Sequence, residues 1–289
     1  MIFINPKTDF AFKKIFGSDQ SQSILISFLN GLLYAGEPTI QSLTILNPYQ
    51  APKIRGVKDT YLDVKAKLST GEIVIIEMQV LNIAGFEKRI LYNAAKAYST
   101  QLKIGESYPA LNPVIALTIT DFVMFPDLET IISHFILKEK TYLIDYPSND
   151  LELVFVELPK FKQSLEELTT LTDKWLYFLS HAKDLSTVPP NMGEVEEIQE
   201  AFVMANFADL SPEEAEELEH QIIFIQDQQG VIVKATEQGM QQGMQQGMQQ
   251  GRRETQVQIA RQLLAMMEDA AIAQVTGLAI ADIQALRVE

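Results

Sequence analysis

The chain of 289 residues contains no cysteine and only three histidines. Without cysteine it can form no disulfide and no thiolate metal site, which fits a reducing compartment, and we expect a cytoplasmic protein. His134, His181 and His220 are too far apart in sequence to suggest a zinc site. No apolar run approaches the roughly 18 residues that a membrane span needs, and the first residues show no signal-peptide pattern, so we expect no membrane association.

The chain also has little positive charge: 23 lysines and arginines stand against 38 aspartates and glutamates, for a net charge of −15. A negative total argues against nucleic acid as a partner, because Lys and Arg make most phosphate contacts. The charge is nevertheless uneven. Residues 1–110 carry 12 basic and 9 acidic side chains, net +3, and the remainder carries 11 and 29, net −18. A surface that handles phosphate therefore belongs to the first half of the chain.

The hydrophobic pattern predicts an α/β fold whose first half follows the order α, β, β, β, α, β. Helical spacing of apolar residues indicates three helices: 10–16, 24–32 and 84–103. Runs typical of strands follow: 42–46, 61–68, 73–80, 114–120, 133–137 and 151–158. The triplet Ser69-Thr70-Gly71 supplies a tight turn between the second and third strands, so these two are predicted to form a hairpin.

From residue 162 to about residue 229 the chain is acidic and typical of helix. We therefore expect an enzyme core at 1–159, an acidic helical region at 160–235, and a repeat with a short tail at 236–289. Three copies of Gly-Met-Gln-Gln fill 239–250. On a helix this repeat keeps its glycines on one slowly drifting face, which would let two helices approach closely and form a homo-oligomer. A flexible linker is an equal alternative, because four glycines cost roughly 4 kcal/mol of helix propensity relative to alanine.

The tail at 259–286 is typical of two short helices joined at Thr276-Gly277, similar to a small helix-turn-helix. The second of these helices offers Asp282, Gln284 and only one arginine, Arg287, which is poor chemistry for gripping phosphates. We therefore interpret the tail as a packing element rather than a nucleic-acid reader.

The predicted hairpin brings two acidic side chains together. A three-residue turn pairs residue 68 with residue 72 and so sets Asp63 opposite Glu77. Carboxylates about 5 Å apart would repel by roughly 3 kcal/mol in a partly buried site, so a cation should lie between them. Their oxygens are hard ligands of the kind that Mg²⁺ accepts together with water and phosphate. A hairpin with exposed carboxylates and no ligand is the alternative that these residues alone leave open.

Several motifs follow one another along the chain: PKTDFAFKKIFG at 6–17, Asp63 with its strand, IIEMQ at 75–79, a helix with Arg89, Tyr92, Tyr98 and Gln101, NPVI at 112–115, and 151–161. In this order they resemble the Rpn family, recombination-promoting nucleases of the PD-(D/E)XK superfamily that are also described as transposases. The resemblance implies a restriction-endonuclease-like core of order αβββαβ, with a mixed sheet flanked by helices and an α-helical C-terminal extension. It also implies a DNA endonuclease that uses Mg²⁺ or Mn²⁺ and promotes recombination or restricts foreign DNA.

The resemblance also implies roles for individual residues. Asp63 and Glu77 become catalytic metal ligands, with the main-chain carbonyl of Met78 as a third ligand, and the cation would activate the water that attacks phosphorus. Asp9 matches the acidic position that the family carries on its first helix. Capping of that helix is an equal alternative for Asp9.

Gln79 stands where this fold more often has lysine, and its amide can orient water or a phosphate oxygen but carries no charge. Lys65 shares the face of Asp63 by strand alternation and is a candidate to replace that charge and contact DNA, although a solvent-facing lysine is the alternative. Gln101 and Tyr98 are further candidates for DNA contact. Replacing Gln79 by lysine should keep or raise activity, unless Gln79 makes a contact that only an amide can make.

Two other functions stay open. One is a catalytically weak or inactive homologue that acts as an oligomeric binding or regulatory module. The other is a transposase with its own DNA-reading domain, which the acidic tail does not favour. The nuclease is the favoured interpretation, because both carboxylates and the Glu-x-Gln strand are intact.

Overall fold

The computed structural model describes residues 2–50, 60–103 and 105–288. The chain divides into two compact units, Met1–Gln226 and Asp227–Glu289. The helices are α1 (Asp9–Phe16), α2 (Gln22–Leu33), α3 (Phe86–Ser99), α4 (Leu171–His181), α5 (Pro190–Gly193), α6 (Glu196–Met204), α7 (Pro212–Leu263), α8 (Asp269–Thr276) and α9 (Ile280–Val288). The strands are β1 (Leu43–Leu46), β2 (Tyr49–Gln50), β3 (Thr60–Tyr61), β4 (Val64–Leu68), β5 (Ile73–Gln79), β6 (Val114–Thr120), β7 (Ile132–Phe135) and β8 (Leu151–Glu157).

The first unit is built on a six-stranded mixed sheet with the strand order β1-β4-β5-β6-β8-β7. β4 and β5 form the predicted antiparallel hairpin, whereas β5, β6 and β8 run parallel to one another. The parallel neighbours β5 and β6 need a crossover, and α3 supplies it. This arrangement confirms the predicted mixed sheet flanked by helices and the αβββαβ order of the core.

β5 is covered on both faces, which explains its continuous apolar sequence. Val74 and Ile76 pack into the larger core cluster together with residues of α1 and α2. Ile73 and Ile75 pack into a smaller cluster together with Ala94 and other residues of α3. Because successive side chains of a strand alternate between faces, the next odd-numbered residues of β5 are directed to the α3 side.

The prediction of one continuous strand at 61–68 is wrong, because Leu62 and Asp63 do not belong to a strand and separate β3 from β4. β3 pairs with β2, and β4 begins only at Val64. Leu62 packs into the α3-side cluster while Val64 packs into the opposite one. A regular strand would direct Leu62 and Val64 to the same face, but here they face opposite sides of the sheet. Strand alternation consequently cannot place Lys65 on the same face as Asp63.

The predicted boundary near residue 159 is not a break in the hydrophobic core. Trp175 of α4 is fully buried, with its ring centroid 5.5 Å from that of Phe28 and its Nε1 donating to Ser27 Oγ at 3.2 Å. Phe202 of α6 stacks in a tilted geometry against Phe3 at 4.9 Å. The expected enzyme core and the following acidic helices up to residue 226 thus share one core.

The Gly-Met-Gln-Gln repeat is helical, since α7 continues without interruption from Pro212 to Leu263. The linker alternative is therefore wrong, and residue 236 lies inside a helix. Apart from the adjacent backbone of α7 itself, no described residue comes within 4 Å of a Cβ built at Gly239, Gly243, Gly247 or Gly251. The glycine face of α7 is thus open along the whole repeat.

The tail forms a small cluster of its own around the fully buried Ile272 and Ile283. The Arg287 guanidinium pairs with Asp269 at 2.7 Å and donates to the main-chain carbonyls of residues 264 and 267. Its donors are used inside the tail, which agrees with the interpretation of the tail as a packing element.

Within the described ranges, no single helix combines the length and the apolar content that crossing a membrane requires, and α8 and α9 meet that measure only together, as a bent pair.

Candidate active site

A cavity of about 1000 Å³ lies at the carboxyl end of β5, beside the start of α3. Charged and polar side chains from three parts of the chain line it, among them Asp9, Asp63, Glu77, Gln79 and Arg89. Crevices at the carboxyl ends of strands are where α/β sheets usually bind their ligands. The position of this cavity therefore makes it the candidate active site.

Asp63 is held by the main chain of β5. The Met78 N–H donates a hydrogen bond to Asp63 Oδ2 at 2.7 Å. This contact agrees with the predicted hairpin register, in which the Val64–Ile76 pair is followed by Asp63 opposite Glu77. The Asp63 side chain is only 16% exposed. Its carboxylate is thus fixed in a place that water reaches poorly.

Asp9 reaches Asp63 from α1. The N-cap of α1 is Thr8, whose side chain accepts from the Ala11 N–H, so the capping alternative for Asp9 is wrong. The Asp9 carboxylate pairs with Lys13 at 2.7 Å, the same ammonium group lies 3.8 Å from Asp63 Oδ1, and the charge of Asp9 acts on the pKa of Asp63. The like-charge neighbour of Asp63 is therefore Asp9, rather than Glu77 as the register alone predicts.

The surroundings of Asp63 favour its neutral form. Burial, followed by the hydrogen bond with Asp9, raises the pKa of Asp63 well above its ordinary value. The Met78 N–H and the charge of Lys13, 3.8 Å away, oppose this rise without cancelling it. In the metal-free protein, Asp63 therefore keeps its proton to a higher pH than an exposed aspartate does.

Glu77 is also buried, with 8% of its surface exposed, and its contacts come from α3. Asn93 Nδ2 donates to Glu77 Oε1, and Arg89 Nη2 lies 3.7 Å from Glu77 Oε2. Burial raises the pKa of Glu77, while Arg89 and Asn93 act in the opposite direction. Glu77 thus has a cation and an amide beside it, and Asp63 has a second acid.

The Gln79 amide is engaged at both ends. Its Nε2 donates to the Leu81 carbonyl at 2.6 Å, and its Oε1 accepts from Arg89 Nη2. The Arg89 guanidinium also lies over the Phe86 ring, 5.0 Å from its centroid. Gln79 thereby holds the guanidinium close to Glu77. These contacts use both the donor and the acceptor of an amide, which favours the alternative that only an amide serves at position 79.

Sequence reasoning assigned no role to Arg89 or Asn93. Both are on the face of α3 that meets the carboxyl end of β5, together with the buried Phe86 and Ile90. Residues three and four positions apart share one face of a helix, so the apolar Phe86 and Ile90 indicate that Arg89 and Asn93 lie on the buried face of α3. This spacing would have identified both residues once α3 was predicted to cover the face of the sheet that carries Glu77.

Three candidate DNA-binding residues are not brought to the cavity. Lys65 is half-buried on β4 between its register partners Leu46 and Ile75, where burial lowers the pKa of its ammonium group. It does not line the cavity. The positive charge nearest to Glu77 and Gln79 is that of Arg89.

Tyr98 and Gln101 lie at the other end of α3. The Tyr98 hydroxyl donates to Asp150 Oδ2 at 2.9 Å, and Gln101 Nε2 donates to the Asn112 carbonyl at 2.8 Å. Asp150 and Asn112 precede β8 and β6, so both contacts are at the amino ends of the parallel strands, opposite the cavity. Their role in DNA binding stays a prediction, and these contacts attach α3 to the sheet.

The residues of the cavity suit a hard divalent cation. In the part of the chain that the structure describes, no three His, Cys, Asp or Glu side chains are grouped to hold a metal by themselves. Mg²⁺ needs fewer, because it usually takes one or two carboxylates and keeps several waters. Asp63, Glu77 and the Met78 carbonyl offer oxygen donors, and within the described residues Asn93 Oδ1 is a buried acceptor without a hydrogen-bond partner. This donor set fits Mg²⁺ or Mn²⁺.

A family model described as "PD-(D/E)XK nuclease family transposase" matches residues 6–235. The matched range extends from α1 into α7 and includes every residue that lines the cavity. No curated protein and no solved structure matches the chain.

Replacing Asp63 by asparagine is expected to stabilise the metal-free protein at neutral pH. Because folding raises the pKa of Asp63, the wild type loses free energy of unfolding as the pH rises from the ordinary value through the raised value. The asparagine side chain would still offer an oxygen to the Met78 N–H and does not titrate. In urea unfolding with EDTA, the stability gain of Asp63→Asn should be absent in acid and largest above the raised pKa.

The control for the charge change is Asp127→Asn, at an exposed carboxylate outside the cavity. A variant Asp63→Asn that is less stable than the wild type at neutral pH would show that the carboxylate is a structural support.

Proposed function

This chain belongs to the family described as PD-(D/E)XK nuclease family transposase, and on that premise we propose that it is a divalent-metal-dependent DNA endonuclease that hydrolyses phosphodiester bonds. The observation that carries the proposal is the pair of poorly exposed carboxylates, Asp63 and Glu77, that line one cavity, with Asp63 held by the Met78 N–H. Raised carboxylate pKa values in a cleft are typical of functional sites. Promotion of recombination or restriction of foreign DNA is the role that the resemblance to the Rpn family implies.

Asp63, Glu77 and the Met78 carbonyl would hold the cation. When bound, Mg²⁺ or Mn²⁺ lowers the pKa of a water molecule and neutralises charge on the phosphate. The chain's own residues keep the donors in place: the Met78 N–H orients Asp63, and the Asn93 amide orients Glu77. Hydrogen bonds of this kind around ligands are worth about 10- to 100-fold in metal affinity or activity.

Arg89 would supply the positive charge that lysine usually supplies in this fold. Its guanidinium is always protonated and presents several donors, so it can contact a phosphate oxygen at any working pH. Gln79 acts on the reaction through Arg89, since its Oε1 accepts from Arg89 Nη2. In this proposal, Arg89 supplies the positive charge and Gln79 positions it, so the two residues together replace the lysine that is usual in this fold.

Plasmid nicking tests the proposal. With Mg²⁺, Asp63→Asn and Glu77→Gln should lower the nicking rate by about 100-fold or more, because each removes an anionic ligand while a lost outer-shell partner alone costs about 10- to 100-fold. EDTA should abolish cutting by the wild type. Added Mg²⁺ should raise the Tm of the wild type and leave those of the two variants nearly unchanged, since a ligand stabilises only the state that binds it.

Glu87→Gln is the matched control, because Glu87 is an exposed residue of α3 that does not line the cavity. Should Asp63→Asn and Glu77→Gln both nick at the wild-type rate, the active-site assignment is wrong. The inactive binding module would then be the better interpretation of the family membership.

Gln79→Lys is expected to lower the nicking rate by about tenfold. Lysine has no acceptor for Arg89 and would put a second cation beside it, and a hydrogen bond to a charged group is worth roughly 1.5–3 kcal/mol. The double variant Gln79→Lys/Arg89→Gln exchanges the two groups and should recover part of the rate. A single variant as active as the wild type would contradict the role given to the amide.

We also propose that the chain forms a homo-oligomer through 236–289. The support is the open glycine face of α7, which would let a second copy of the helix approach closely.

Replacement of Gly239, Gly243, Gly247 and Gly251 by alanine tests this contact. Alanine adds a Cβ that, beyond the adjacent backbone of α7, meets no described residue of the same chain, and each replacement favours helix by about 1 kcal/mol. Light scattering should show a lower mass for this variant and for a chain lacking 236–289, while metal-dependent nicking persists. An unchanged mass in both would remove the assembly role.

A further inference from the structure

Tyr61 presents a flat aromatic surface at the cavity. Its side chain lines the cavity, yet the residue is 72% exposed. It is not a loose surface residue, because β2 and β3 pair Tyr49 directly with Tyr61. The two ring centroids lie 4.9 Å apart at an interplanar angle of 34°. Tyr49 thus backs the Tyr61 ring and limits its freedom to turn.

Two side chains of α3, those of Tyr92 and Lys88, also line the cavity and add a second aromatic ring and a cation. Tyr92 is 40% exposed, and the ammonium group of Lys96 lies 5.9 Å from the centroid of its ring. Lys88 also lines the cavity and is exposed. The wall therefore combines aromatic surface with a cation available to a ligand.

Tyr61 is close in sequence to Asp63, and both residues line the cavity. Tyr61 and Asp63 are two positions apart, with Leu62 between them, and even a fully extended chain covers only roughly 7 Å in that interval. A group stacked on Tyr61 would therefore belong to the same nucleotide as a phosphate at Asp63, or to its neighbour.

We infer that Tyr61, backed by Tyr49, is a stacking subsite for an unpaired base next to the cleaved phosphate, so that the substrate is single-stranded or locally unpaired DNA. This inference rests on the proposed function and adds the substrate class. Base faces inside a duplex are covered by neighbouring bases, and only an unpaired or extruded base can lie on an aromatic ring.

The charge of the chain agrees with this substrate class. Recognition of duplex DNA draws mainly on many Lys and Arg contacts to phosphates. This chain has a net charge of only +3 over 1–110 and of −15 overall. Stacking needs no charge and accepts any base, so it can supply affinity where cations are few.

Fluorescence of 2-aminopurine, a base analogue quenched by stacking, tests the subsite. The full-length protein is mixed in EDTA with a single-stranded DNA oligonucleotide that carries the analogue, and with the corresponding duplex; both are repeated with Mg²⁺ and phosphorothioate linkages that resist cutting. The wild type and Tyr61→Phe should quench the single strand. Tyr61→Leu should lose the quenching and bind the single strand about tenfold more weakly, with duplex binding unchanged.

Tyr142→Leu is the control, because Tyr142 is 78% exposed and lies outside the cavity. Equal quenching and affinity for Tyr61→Leu and the wild type, with metal-dependent nicking intact, would overturn the stacking subsite and leave the proposed function standing. Failure of the wild type to bind or cut any DNA would overturn both. Tighter wild-type binding to the duplex than to the single strand would overturn the substrate class alone.

Discussion

The register of the β4–β5 hairpin determines where the site can form. The Leu68 N–H donates to the Glu72 carbonyl at 2.9 Å, and Gly71 closes the turn with a φ of +112°. A side chain at Gly71 would be strained, and its Cβ would come within 2.7 Å of Asn112 Oδ1. A slip of one residue would turn Glu77 away from α3 and into the apolar core on the other face, at a prohibitive cost in buried charge.

Fixed register places two carboxylates in one cavity but gives them different partners. Burial and the neighbouring Asp9 raise the pKa of Asp63, whereas at Glu77 the Arg89 guanidinium and the Asn93 amide oppose the rise that burial causes. A cation at Asp63 would have to displace the proton of its neutral form. Cation affinity at such a site increases with pH, because ligand deprotonation is coupled to binding. If the proposed cation binds here, deprotonation of Asp63 would be coupled to its binding, and Arg89 and Asn93 would favour the charged form of Glu77.

Periodicity and turn chemistry were enough to predict the elements of the core and the pairing of residue 68 with residue 72. They could not predict the interruption at Leu62 and Asp63, since both neighbouring runs favour strand and only the packing of Leu62 against α3 breaks the alternation. The contact of Asp9 with Asp63 joins positions 54 residues apart, and no local pattern encodes it. Tyr98 was predicted to contact DNA because α3 was known only as a helix. The β5–β6 crossover determines which end of α3 lies at the carboxyl ends of the strands: its first turn lies there, and Tyr98 lies at the opposite end.

The acidic region contributes to the site through α1. Lys14 pairs with Glu214 at 2.6 Å, and the Phe10 N–H, one of the first-turn donors that a helix cannot satisfy itself, donates to Gln221 Oε1 at 2.8 Å. A half-exposed ion pair adds little to stability, but together the two contacts fix the position of the helix that carries Asp9. The first turns of α7 therefore help to set the distance between Asp9 and Asp63. A family match that continues to residue 235, far beyond the last strand of the sheet, agrees with this dependence. A core cut at residue 159 would lose both contacts that hold α1.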